Sequence, residues 1–154
     1  MHLVAAKAVA FNEALQPSFR QYAAQVVRNA RALAAALAEL GYRLCSGGTD
    51  NHLLLIDLRA RDAELTGADA ESALEEAGII SNKNGVPNDP RPPKVTSGIR
   101  LGTPALTTRG LKEADLRTVA GFIDRAIDAR SDKSQLASLR EEVAEFAMRF
   151  PMPH

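Results

Sequence analysis

At Gly41 the hydrophobic pattern of the chain changes period, and that change limits the folds open to it. Before it, Tyr22, Val26, Val27, Ala30, Leu33, Ala34, Leu37 and Leu40 recur at intervals of three and four, which marks one apolar face on a long helix. Pro17 suits the first turn of that helix, where its missing N–H is not needed, and Gly41 suits its end. After Gly41, Tyr42–Cys45 and His52–Leu58 are short apolar runs on either side of Ser46-Gly47-Gly48-Thr49-Asp50-Asn51, and they read as two strands around a turn. The unbroken Leu53–Ile56 run predicts a strand covered on both faces. Thr66-Gly67-Ala68-Asp69 reads as a capping box opening a short helix that runs to Ala77 and stops at Gly78. Ile79–Ser81 and Ser97–Thr103 read as further strands, and two amphipathic helices, Lys112–Ala129 and Ser134–Phe150, close the chain. A short-stranded sheet with helices grouped against it is an α+β arrangement.

Composition narrows the functions. Lysine plus arginine and aspartate plus glutamate number 19 each, so no global field draws the chain to nucleic acid or to an anionic membrane. No 18-residue apolar run exists to span a bilayer, and no signal-peptide pattern follows Met1, so a cytoplasmic location is expected. Cys45 has no second thiol to pair with and reads as a small core residue. His2, His52 and His154 lie too far apart in sequence for a metal-ligand spacing, so no metal site is expected. Local nucleophile motifs and phosphate-cradling glycine loops are absent.

Two stretches are out of keeping with an ordinary small domain. Met1 to Phe11 is apolar nearly all round, interrupted only at Lys7, so such a helix requires a partner chain or a preceding domain to cover it. Asn82 to Val95 holds four prolines, with Asn84, Gly85 and Asn88, and is expected to form no regular structure. The loop delivers Arg100 into Ile99-Arg100-Leu101, where alternation turns the guanidinium to the face opposite its neighbours. An arginine there needs an anionic partner. On spacing alone an internal ion pair with one of the 19 acids is the commoner outcome, and a grip on a ligand carboxylate is the alternative.

Three motifs, in this order, carry a resemblance that covers residues 1 to about 150: Ser46-Gly47-Gly48-Thr49-Asp50-Asn51-His52-Leu53; Asn82-Lys83-Asn84 with Pro87, Asp89 and Pro90; and Thr96-Ser97-Gly98-Ile99-Arg100 continuing through Gly102-Thr103-Pro104-Ala105 to Thr107-Thr108-Arg109-Gly110. They resemble the C-terminal part of serine hydroxymethyltransferase. The resemblance implies the small C-terminal domain of a fold-type-I, aspartate-aminotransferase-like pyridoxal-phosphate enzyme that interconverts serine and glycine while moving a one-carbon unit to or from tetrahydrofolate. It implies that residues 1–20 are the connecting helix from a missing pyridoxal-phosphate-binding domain and that 21–154 are the small α+β domain. By the same resemblance Arg100 grips the α-carboxylate of serine or glycine, and Asn84, Pro92, Pro93 and Lys94 meet the folate. Lys94 stands where many family members carry an aromatic residue. Lys83 is either a solvated lysine or a cation for the folate glutamate tail, and Arg109 is a supporting residue. The family's Schiff-base lysine and its general acid/base glutamate lie outside this segment, so no catalytic or cofactor-binding residue is expected within it, and the chain alone is expected to be inactive. The active form is implied to be a homo-oligomer. Two alternatives are one chain of a split enzyme and a non-catalytic folate- or partner-binding module.

Overall fold

Pro17 occupies the first turn of a helix, as its fixed φ and missing donor favour, and Gln16 before it is the extended link between α1 (His2–Leu15) and α2 (Pro17–Glu39). The computed structural model describes residues 1–152, so His154 lies outside the described residues. Gly41, at φ +88°, ends α2 by letting the chain reverse: its N–H reaches the Ala38 carbonyl and that of Tyr42 the Leu37 carbonyl, both at 3.0 Å. Four strands follow, β1 (Arg43–Leu44), β2 (Leu53–Asp57), β3 (Asn82–Asn84) and β4 (Gly98–Gly102). They form one sheet in the order β1-β2-β4-β3 with every neighbouring pair antiparallel. A 3-10 turn at Leu58–Ala60 and helix α3 (Gly67–Glu76) carry the chain from β2 to the far edge. The expected capping box opens α3, with Thr66 Oγ1 accepting from Asp69 N at 3.0 Å and the Asp69 carboxylate accepting from Thr66 N. Helices α4 (Pro104–Thr108), α5 (Glu113–Asp128) and α6 (Lys133–Met148) complete the chain.

The helices gather on one side of the sheet. Leu33 and Leu37 of α2, Leu74 of α3, Leu116, Ile123 and Ile127 of α5 and Leu136 of α6 pack with Leu44, Leu54, Ile56, Ile99 and Leu101 from the strands in one core. A polar tie runs through the α2–α4 junction. Fully buried Asn29 donates to Thr107 Oγ1 and to the Leu111 carbonyl, both at 2.9 Å, while its own oxygen accepts from Gln25. Thr103 Oγ1 donates to the Val26 carbonyl at 2.9 Å, so the end of β4 is fixed to α2.

Three expectations are corrected. The edge strand is Asn82–Asn84, not Ile79–Ser81, and Ile80 is 83% exposed. The start of the proline-rich stretch is therefore regular, because β4 supplies the hydrogen-bonding partner that its own sequence does not advertise. The Leu53–Ile56 run is covered on one face only: Leu54 and Ile56 are buried, whereas Leu53 and Leu55 are half-buried on the open side. Helix α1 has no buried residue, with Leu3 and Phe11 each 67% exposed and Leu15 83% exposed. Among the described residues no helix is long and apolar enough to cross a membrane.

Candidate functional site

Strand alternation decides what the open sheet face carries. In β4 Ile99 and Leu101 are buried under the helices, and Arg100 between them is exposed on the other side, as alternation requires. The register sets Arg100 between Leu55 of β2 and Asn82 of β3. Among the described residues its guanidinium makes no ion pair and no side-chain hydrogen bond. Elsewhere Arg28 pairs with Glu113, Arg59 with Asp57, Arg125 with Glu142 and Arg130 with Asp62. Among the described residues the internal ion pair that spacing alone favours is thus not formed, and the planar donor fork of Arg100 faces outward.

Gly98, two residues before Arg100, is required by close approach. A Cβ there would stand 2.5 Å from the Ile56 carbonyl and 2.5 Å from Val86 Cγ1, so any side chain would force apart β2, β4 and the loop that follows β3. Thr96 reaches this point through a left-handed backbone, φ 55°, which is unusual for a β-branched residue, and it is buried. Its carbonyl accepts from Gly67 N at 3.0 Å, so the strained turn is fastened to the first turn of α3.

Asp89 organises the loop between β3 and β4. Its Oδ2 accepts from Ser97 N at 2.8 Å and Val86 N at 3.2 Å, and its Oδ1 from Ser97 Oγ at 2.7 Å and Arg91 N at 3.0 Å. Burial alone would push its carboxyl up, but these bonds from Ser97, Arg91 and Val86 together hold it well below the usual carboxylate range. Arg91 carries the loop inward, donating to the carbonyls of Leu65 at 2.7 Å and Ala63 at 2.6 Å. The sequence marks Asp89 as a motif residue before a proline but gives neither it nor Arg91 a role.

The other expected site residues are spread around this frame. Asn84 is half-buried at the end of β3, its side-chain amide donating to the Gly85 carbonyl at 2.8 Å, and it is paired in register with Gly98. It therefore shares the open face with Arg100. Pro92, Pro93 and Lys94 are exposed in the turn of the loop, with no side-chain bond to Arg100 or Asn84. Lys83 faces the opposite side and pairs with Glu71 of α3, so it is neither a solvated lysine nor a free cation. Arg109 is structural: it donates to the carbonyls of Phe150 and Ala147, both at 2.7 Å, at the end of α6. Cys45 is only half-buried, beside Arg43, Asp57 and Arg59. Burial and the Asp57 charge push its thiol up, away from thiolate reactivity.

The five lysines test whether this face could attach a pyridoxal group. Lys7 lies in α1, Lys112 and Lys133 stand at the starts of α5 and α6, Lys94 is in the loop and Lys83 is committed to Glu71. None projects from the open side of a strand beside Arg100, so these residues do not fit the attachment of that cofactor. The face presents an arginine and an asparagine with no lysine beside them.

The model of the family described as serine hydroxymethyltransferase matches residues 1–123. The serine hydroxymethyltransferase of Polynucleobacter necessarius subsp. necessarius (strain STIR1) is 55% identical over 152 residues, covering 99% of this chain and 36% of that protein. That of Acidobacterium capsulatum is 56% identical over 152 residues, covering 99% of this chain and 35% of that protein. The chain thus spans about a third of the length of the curated relatives it matches.

Proposed function

The chain belongs to the serine hydroxymethyltransferase family, and on that premise we propose that it supplies the substrate-carboxylate grip of an enzyme that interconverts serine and glycine. The observation that carries the reading is Arg100: exposed, unpaired among the described residues, and set between buried neighbours on a strand whose ends are fastened. A guanidinium held this way binds a planar carboxylate by two parallel bonds and fixes the orientation of the groups attached to it. Asn84 on the same face, with Pro92, Pro93 and Lys94 in the loop, takes the tetrahydrofolate that accepts or gives the one-carbon unit. Pyridoxal phosphate, when bound, supplies the electron sink for cleavage of the serine side chain. Its attachment belongs to the part of the enzyme outside this chain.

In this reading residues 21–154 are the small domain of a fold-type-I enzyme and residues 1–20 the helix that joins it to the cofactor-binding domain. The exposed apolar side chains Leu3, Val4, Val9, Phe11 and Leu15 of α1 support it, because a helix apolar on every side is stable when covered. The assembled enzyme is a homo-oligomer of the cytoplasm. The test is reconstitution. Produced alone, the chain should leave serine unchanged and take no saturable, borohydride-fixed pyridoxal phosphate on any lysine. Produced together with the portion of the Polynucleobacter relative that it does not cover, it should yield serine-to-glycine activity. Stoichiometric labelling of one lysine in the isolated chain would overturn the assignment.

A further inference from the structure

The strand that carries Asn84 is poorly equipped to find its own register. Asn82-Lys83-Asn84 is three residues long, lies at the edge of the sheet and has no apolar side chain to distinguish one face from the other. Strands of this kind pair loosely, and a slip of one residue turns every side chain to the opposite face. In the observed register Asn82 opposes Arg100 and Asn84 opposes Gly98. A slip would take Asn84 off the open face and pull Lys83 away from Glu71.

One carboxylate oxygen stands where the ladder runs out. The last paired rung is Asn84 with Gly98. Immediately beyond it, Val86 N on one side and Ser97 N on the other both donate to Asp89 Oδ2, at 3.2 and 2.8 Å. A single acceptor bridging the two strand ends does the work of a further rung and ties Val86 to Ser97 at one offset only. The second oxygen holds Arg91 N and Ser97 Oγ and fixes the carboxylate itself. Val86 then seats over Gly98, a place that no residue with a Cβ could leave free.

We propose that Asp89 is a positioning residue that sets the β3–β4 register and thereby holds Asn84 and Arg100 on one face. What those two residues bind rests on the reading above; the register does not. The experiment is amide hydrogen exchange by NMR on the full 154-residue chain at neutral pH, comparing native protein with Asp89→Asn and Ser97→Ala. Asp89→Asn turns one of the two acceptors into a donor, which meets either the Val86 and Ser97 N–H pair or, with the amide turned over, the Arg91 N–H, so no orientation keeps all the bonds. It should speed exchange of the β3–β4 ladder amides about tenfold or more, with those of β2 and α5 changed by less than about twofold. Ser97→Ala removes the two Oγ bonds, to Asp89 Oδ1 and from Arg91 Nη1, and leaves Oδ2 bridging, so it should leave the ladder within about twofold of native. The proposal is overturned if the ladder is unchanged in Asp89→Asn, if the two variants loosen it alike, or if exchange rises uniformly through the core. No ligand enters the measurement, so its failure leaves the carboxylate reading of Arg100 standing, and failure of that reading leaves the register clamp standing.

Discussion

The two faces of the sheet are built from alternate residues of the same strands and yet are held by different means. On the helix side Leu54, Ile56, Ile99 and Leu101 are buried in a continuous apolar core, and burial alone specifies their positions. On the open side Leu53 and Leu55 are half-buried, and Arg100 and Asn82 are exposed. Position there comes from polar devices: the Asp89 bridge, the Arg91 anchors and the close approach at Gly98. The contrast teaches that one strand secures itself on one side and leaves the other side open. Ile99 secures the strand and Arg100 is what the strand displays.

Four substitutions probe that contrast. Ile99→Ala, on the covered face, should cost about 2–5 kcal/mol in chemical denaturation, because a fully buried side chain leaves a cavity. Asn29→Ala should cost roughly 1–3 kcal/mol by leaving the Leu111 carbonyl without its donor and Gln25 with Glu113 as its remaining acceptor. Asp89→Asn should act mainly on the loop, and its stability deficit should depend on pH. The native carboxyl is held below its ordinary range, so its contribution is complete above about pH 4 and drains away as the pH falls further. The gap between native and variant in urea midpoints should therefore narrow from pH 5 towards pH 2, and a gap constant across that range would remove the carboxylate from the account. Arg100→Leu should change stability by no more than about 0.5 kcal/mol, since among the described residues the guanidinium has no partner to lose. A large loss there would mean that the open face is part of the core after all.

Where burial decides, the sequence was readable. The apolar faces of α2, α5 and α6 and the outward turn of Arg100 follow from spacing, because those residues pack on the core at the helix and strand periods. Asn82–Asn84 carries no such pattern, and its strand exists because β4 offers free backbone partners, so the neighbouring Ile79–Ser81 drew the assignment instead. The open side of β2 misled for the opposite reason, since Leu53 and Leu55 are as apolar as a covered face would be. Asp89 was illegible because its donors come from Val86, Arg91 and Ser97, which only the folded loop brings together. Asn29 was hidden within an apolar helix face, where its partners on α4 and ahead of α5 cannot be foreseen from spacing.

The central claim is that Arg100 grips a substrate carboxylate. Its most direct test is steady-state kinetics of serine cleavage by the enzyme reconstituted from this chain and the complementary portion of the Polynucleobacter relative, with Arg100 native or changed to Ala. Loss of a bidentate charged contact should lower kcat/KM for serine by roughly 10²–10³-fold while the folded, assembled protein is retained. A value within about threefold of native, from an enzyme equally well assembled, would contradict the account, because a variation that small is less than one charged hydrogen bond contributes.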